Sequence, residues 1–471
     1  MGLPTSTVST GTSTSDMSTT KVSTSKVSTS SVSTSTDGVA TAARRPARRS
    51  RYPWIVFALT FGLLLSDYMS RQVLSAIFPF LKAEWALTDS QLASLTSIVA
   101  LMVGLLTLPL SLLADRWGRV RSLVVMAVLW SLATLACAVA ANFEQLLAAR
   151  FLVGVGEAAY GSVGIALVLS VFSPRLHASL SGAFMAGGSF GSVLGVAVGG
   201  YIAVHLGWRW SFAAMAVFGL LLVALFRALV TERSLDRHAA DKPADGEPNA
   251  TPSAAGTASS GYRAPVSSLF TSPAVLCAYV GGGLQMFTAA VLLSWTPSFF
   301  NRYYGLAPDK AATAAAAVVL LVGTGMVVCG IITDRLGRHD VRSKWTSAIA
   351  YCAISMVCLG VGFSLGNGPA QLILMGIGAF FAAGSCGPTA AMVANLTHPS
   401  IRASAMGTLT VSNNLLGLAL GPFVIGILAD HVGLRMAMQL SPLVYVLAIV
   451  ALVAGRRLHP AAVRKLAKET S

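Results

Sequence analysis

Charge is what this chain has least of. Only 11% of its residues are Asp, Glu, Lys or Arg, against about 25% in an ordinary soluble domain. A polar surface able to keep 471 residues in water cannot be built from so few charges, which excludes a soluble enzyme. Histidine is scarce too. His177, His205, His238, His339, His398, His431 and His459 fall in loops or at helix ends, with no metal-ligand spacing. The six cysteines (Cys137, Cys277, Cys329, Cys352, Cys358, Cys386) contain no CxxC pair and all lie in apolar stretches, which argues against a disulfide framework. No Walker loop is present, so ATP is not the direct energy source. A nucleophile–base constellation is also lacking. The expectation is a protein that is not an enzyme and uses no cofactor and no metal.

What the chain does have is apolar sequence, 54% of it. Apolar runs cover 53–80, 91–114, 120–141, 144–172, 177–203 and 210–230, then 272–300, 308–333, 343–365, 369–396, 400–430 and 434–456. Each is long enough to cross a hydrocarbon core of roughly 30 Å as a helix. In lipid the backbone must satisfy its own hydrogen bonds, and runs this long with frequent Gly fit helices, not barrel strands. The fold class expected is an all-α polytopic membrane protein with twelve spans, six on each side of a polar stretch at 231–270.

The basic residues orient these spans. The net charge of +15 would suit nucleic acid if it formed a patch. Instead it is distributed by side. With the N-terminus cytoplasmic, only Lys82, Arg209, Arg302, Lys310 and Arg435 of the 33 Lys and Arg are external, and Arg71 and Arg150 lie within spans. That is the positive-inside pattern, with both termini cytoplasmic, and it removes nucleic acid as a partner. The domains expected are a disordered Ser/Thr-rich tail with a basic juxtamembrane cluster (1–51), a six-helix bundle (52–230), a cytoplasmic linker (231–270), a second six-helix bundle (271–457) and a basic cytoplasmic tail (458–471).

The two halves repeat each other. Asp115, Arg116, Gly118 and Arg119 follow the second span, and Asp334, Arg335, Gly337 and Arg338 follow the eighth. Gly195, Gly200, Gly207 and Arg209 correspond at a constant offset to Gly421, Gly426, Gly433 and Arg435. Paired six-helix repeats are a transporter architecture. On these residues the chain resembles the major facilitator superfamily, from about 52 to 457. Its loop signature G-x-x-x-D-[RK]-x-G-R-[RK] is met with Ser111 for the first Gly and Val120 for the last basic residue. Its fourth-helix signature R-x-x-x-G-x-G is met by Arg150, Gly154 and Gly156. Ser66 to Ser75 is similar to the Y-x-D-R-x-x-L-S stretch of the anion:cation symporters and to the matching stretch of Spinster-like transporters. Ser70 stands here where the family Asp precedes the Arg, and Asp67 is the nearest acid.

Two acids, Asp67 and Glu157, sit mid-span, where an unpaired charge costs on the order of 3 kcal/mol or more. Either could be a proton carrier, or both could be inert partners of Arg71 that hold helices together. Arg71 one turn from Asp67 would keep that acid ionised, which makes Glu157 the favoured proton site. Arg71 itself could grip a substrate carboxylate or remain a permanent ion-pair partner. The resemblance implies a cavity lined by helices one, four, seven and ten. On that basis Tyr68, Gln72, Tyr160, Gln285, Trp295, Ser385 and Asn395 are candidate contacts, with Asn413 and Asn414 added from the eleventh helix. It also implies conformational gating by the two loop signatures and Arg150. Gly187, Gly191, Gly195 and Gly199 are expected to form a rocking interface.

The function these expectations favour is proton-coupled symport of an organic anion across a bacterial-type inner membrane. The protein would work as a monomer in the lipid bilayer, with a small-molecule substrate and protons as its partners. The alternatives left open are a proton-driven exporter of amphipathic lipids or drugs, and a non-transporting receptor on the same fold.

Overall fold

The apolar runs pair their backbone groups internally, as hydrocarbon requires. The computed structural model contains 12 helices long and apolar enough to cross a membrane. They are α1 (Tyr52–Trp85), α2 (Asp89–Ala114), α3 (Arg119–Val139), α4 (Phe143–Val171), α5 (Leu180–Leu206) and α6 (Trp208–Leu229) in the first half. The second half holds α7 (Pro273–Tyr304), α8 (Pro308–Leu336), α9 (Ser343–Ser364), α10 (Pro369–Asn395), α11 (Ser404–Val432) and α12 (Leu434–Arg464). The structure describes residue 2 and residues 52–172, 176–231, 268–337, 343–398 and 401–470. Nearly all of the Ser/Thr-rich tail, the basic cluster, most of the 231–270 linker, Arg338 and the side chain of Asp115 lie outside the described residues. Residues Arg51–Ser471 form one compact unit.

Large apolar side chains stand exposed on the outer faces, among them Leu132, Leu221, Leu447 and Val450, where a bilayer replaces water as their solvent. The repeat seen in sequence is a repeat in structure. Gly207 and Gly433 join α5 to α6 and α11 to α12 with φ of 96° and 82°, angles that a Cβ disfavours. Just beyond them Arg209 donates to Ala140 O and Arg435 donates to Leu365 O, so each arginine ties its helix start to the loop before the fourth helix of its half. The loop signatures are less alike: Gly118 has φ 95° between α2 and α3, whereas Gly337 is right-handed at −68°.

Three features depart from the sequence reading. First, the fourth helix of each half is broken at equivalent places. α4 consists of Phe143–Glu157 and Tyr160–Val171, and α10 of Pro369–Ala382 and Cys386–Asn395. Carbonyls freed by the breaks are met by hydroxyls from other spans: Thr107 donates to Ala158 O at 2.7 Å and Tyr445 to Ala382 O at 3.3 Å. That is how non-helical backbone is tolerated at membrane depth. Second, the glycine stripe of α5 faces its own half. A Cβ on Gly191 would lie 2.6 Å from Leu65 O, and one on Gly195 2.6 Å from Met69 O. The stripe therefore seats α5 against the α1 backbone, and contact with α8 of the other half is made by Gly200 and Ser189, outside the four-residue stripe. Third, the last helix does not stop at 456 but runs on to Thr470, through the stretch expected as a basic cytoplasmic tail.

Candidate functional site

The α1–α5 contact fixes the depth of α1, and α1 carries the centre of the site. Asp67 and Arg71 are one turn apart, so they share a face, and Arg71 Nε lies 3.4 Å from Asp67 Oδ1. The same nitrogen lies 2.7 Å from Glu157 Oε2 of α4. Glu157 is the last residue before the α4 break, where Gly156 lets that helix approach α3: a Cβ there would lie 2.6 Å from Trp130 N. Ser70, which occupies the family Asp position, places its Oγ 2.7 Å from Asp67 O of its own helix and 3.1 Å from Glu157 Oε1, so its single proton is shared between the two acceptors. Both carboxylates are buried, while the Arg71 side chain keeps 17% exposure. One guanidinium thus answers two carboxylates through its Nε edge. Arg71 also lines a cavity of about 340 Å³ between the halves.

The premise that Arg71 chiefly serves Asp67 is not what the geometry shows. Both acids reach Arg71 Nε, Glu157 at 2.7 Å and Asp67 at 3.4 Å, as ion pairs without a well-aligned hydrogen bond, and Glu157 has the shorter approach. The sequence missed this because only the i, i+4 neighbour is visible along one chain. Arg150 is fully buried, and its guanidinium donates to Leu95 O, Ser70 O and Arg71 O, so it clamps the α1 backbone on either side of the Arg71 peptide.

Several candidates gather at the cavity. Tyr68, Gln72, Arg150, Asn413 and Asn414 line it with Arg71, and the Tyr68 ring lies 5.5 Å from the Arg71 guanidinium carbon. Asn413 and Asn414 open a π-helical segment, Asn413–Ala419, within α11. Such segments are frequent at functional sites.

The others lie elsewhere. Tyr160 is fully buried beside Trp130 and donates to Thr60 O at 2.8 Å. Trp295 is fully buried, donates to Pro422 O and packs on Phe78 of the other half. Gln285 accepts a hydrogen bond from Ser385 behind the cavity wall. Asn395 is exposed at the end of α10. Apart from Asn395, these are polar or aromatic groups of the helix packing, which sequence position alone could not separate from cavity groups. Of the loop-signature residues, Arg116, Asp334 and Arg335 are exposed, and Arg119 donates to Ala166 O at 3.4 Å.

A second charged cluster, unforeseen in sequence, joins the halves at the end of the bundle that carries the α1–α2 turn. Asp89 opens α2, which has a capping box of Thr88 and Gln91. Its carboxylate receives both terminal nitrogens of Arg302 from α7, at 2.7 and 2.6 Å, and Lys82 at 2.6 Å. Asp430 of α11 accepts from the backbone amides of Asp89 and Ser90 at 2.6 and 2.9 Å. A carboxylate there satisfies two orphan donors and meets the positive end of the helix dipole. The N-terminal cap of α2 is thus completed by the other half of the protein. Losing a cap costs about 1 kcal/mol, and about 1.4 kcal/mol is tenfold in an equilibrium. Asp430→Ala should therefore shift the conformational population toward the state open at this end by several-fold, and adding Arg302→Gln should shift it further. Spin labels at Leu206 and Val432, on opposite halves, measure the separation. An unchanged distance distribution in the double variant would show that the cluster is not a latch.

The sequence model of the Major Facilitator Superfamily matches residues 60–390. The hexuronate transporter of Bacillus subtilis is 23% identical over 390 residues, which cover 82% of this chain and 89% of that one. The 3-(3-hydroxy-phenyl)propionate transporter of Escherichia coli is 26% identical over 434 residues, covering 89% and 99%. In structure, a bacterial homologue of the human lysosomal transporter Spinster, in an inward-facing and unoccupied conformation, superposes with a TM-score of 0.72 at 18% identity, over 87% of this chain and 98% of that one. The twelve spans, the paired halves and the central cavity are those of a membrane transporter, not an enzyme, and the chain belongs to the Major Facilitator Superfamily.

Proposed function

We propose that the protein carries a small organic anion together with a proton, by alternating access of the central cavity to the two sides of the membrane. One observation carries this reading: two buried carboxylates share the guanidinium of a single arginine that lines the cavity. Asp67, Glu157, Arg71 and Arg150 together are formally neutral when the cavity is empty. An anion on Arg71 adds a negative charge in a medium of low dielectric, and a proton on one carboxylate restores neutrality. The pair, and not either acid alone, is the proton site. Asp67 is the better bearer of the proton, because Glu157 has the closer approach to Arg71, 2.7 Å against 3.4 Å. The hexuronate and 3-(3-hydroxy-phenyl)propionate transporters, both relatives that carry carboxylate compounds, support the same substrate class.

The test is uptake of labelled organic anions into proteoliposomes under an imposed pH gradient. Accumulation that ignores the gradient would rule out the coupled reading. The basic bias of the 231–270 linker and both tails favours cytoplasmic termini in a bacterial-type inner membrane, with the Asp89–Asp430 cluster on the external face. A cysteine introduced in the linker should be labelled only from the cytoplasmic side, and labelling from outside would invert the arrangement.

A further inference from the structure

The cavity is chemically lopsided. The first half presents Arg71, Tyr68, Gln72 and Thr96 to it, together with two serines of α5. The second half presents Met286, Leu293, Val319, Val322, Met326 and Leu418. Its polar groups are few and gather on α11 beside Ser294: the carboxamide oxygens of Asn413 and Asn414 have no hydrogen-bond partner, while two other groups are committed to their own helix. Thr410 donates to Met406 O at 3.1 Å, and the Asn414 amide donates to Thr410 O at 2.9 Å. Among the described residues lining the cavity, the ionic side chains are Arg71 and Arg150, and Arg150 is committed to backbone carbonyls.

These walls discriminate between kinds of organic anion. A polyhydroxylated acid brings a hydroxyl on nearly every carbon, and each one left unpaired against the second wall loses its water without replacement. A flat ring loses no hydrogen bond against the methionine, leucine and valine side chains there. Thioether sulfurs favour contact with an aromatic ring, and branched aliphatic side chains bury its faces. Resting on the anion reading above, we propose that the transported substrate is an aromatic carboxylate of about one ring. Its carboxylate sits on Arg71, and its ring lies against Met286, Leu293, Val322 and Met326. A cavity of about 340 Å³ suits a ligand of that size.

The experiment is calorimetric binding to the purified protein, with benzoate, 4-hydroxybenzoate and 3-phenylpropionate as aromatic probes and galacturonate and gluconate as polyol probes. The expected result is that at least one aromatic probe binds ten-fold or more tightly than either polyol. Met326→Gln and Met286→Gln, which keep size but replace the thioether with an amide, should each weaken that probe at least five-fold and leave polyol binding equal or improved. Polyol acids binding as tightly as the aromatic ones, in a manner lost in Arg71→Lys, would overturn the aromatic assignment and leave the anion reading standing. Aromatic binding unchanged in both methionine variants would overturn the ring placement. No binding by any probe at millimolar concentration would overturn both readings.

Discussion

Asp67→Asn is expected to abolish uphill accumulation of the substrate while leaving exchange between equal pools intact. With one proton per anion, a gradient of two pH units sustains at most about 100-fold accumulation, since each unit is worth about 1.36 kcal/mol. The variant carries a permanently neutral side chain in place of the protonated acid. It can still load an anion on Arg71 and reorient, but it has no proton to release, so the accumulation ratio should fall to about one. Glu157→Gln should behave differently. It removes the closer partner of Arg71 and an acceptor of Ser70, so it should both impair coupling and change anion affinity. Parallel measurement of counterflow and of pH-driven uptake separates the cases. Should both variants still concentrate substrate, proton coupling through this pair is refuted and another driving ion must be sought.

Arg71→Lys should weaken anion binding by roughly 10- to 100-fold, the equivalent of about 1.5–3 kcal/mol for a hydrogen bond to a charged group. An ammonium on a shorter reach keeps the positive charge beside Glu157 but loses the planar fork that lets one side chain serve the carboxylates and the substrate together. Retaining the charge matters to the design of the test. Removing it altogether would strand two buried carboxylates, a loss of about 3–5 kcal/mol that would confound binding with folding. The readout is the half-saturation constant for counterflow set against the amount of folded protein in detergent. An unchanged constant would mean that Arg71 serves only as the partner of the two acids.

The twelve spans were legible because lipid imposes one rule on every residue of a segment, and composition alone reports it. The Asp67–Arg71 pair was legible for a similar reason: helical spacing fixes which neighbours meet. What the chain conceals is which distant segments come together. Ser70 read as a lost acid, yet its hydroxyl turns toward Glu157 and fills the gap between α1 and α4. Arg302 counted only as an external basic residue, and Asp89 and Asp430 drew no notice, because nothing local signals a partner more than 200 residues away. Gln285, Ser385 and Trp295 sit on the expected helices, but rotation of a few tens of degrees decides between cavity and packing, and an apolar span with polar residues on several faces does not encode that rotation. The break in α4 was hidden, since no proline lies near it, whereas the break in α10 had a signal in Pro388, which cannot donate to Gly384 O four residues back.

The shared cap on α2 gives the protein a built-in reporter. The amide protons of Asp89 and Ser90 are held by a carboxylate that belongs to the opposite half. They can trade with deuterium only when the halves part at that end and water takes the place of Asp430. Their exchange rate, relative to that of α2 amides deeper in the helix, therefore counts how often the unmodified protein opens there. A substrate that closes the opposite end should speed it, and no label or substitution stands between the motion and its measurement.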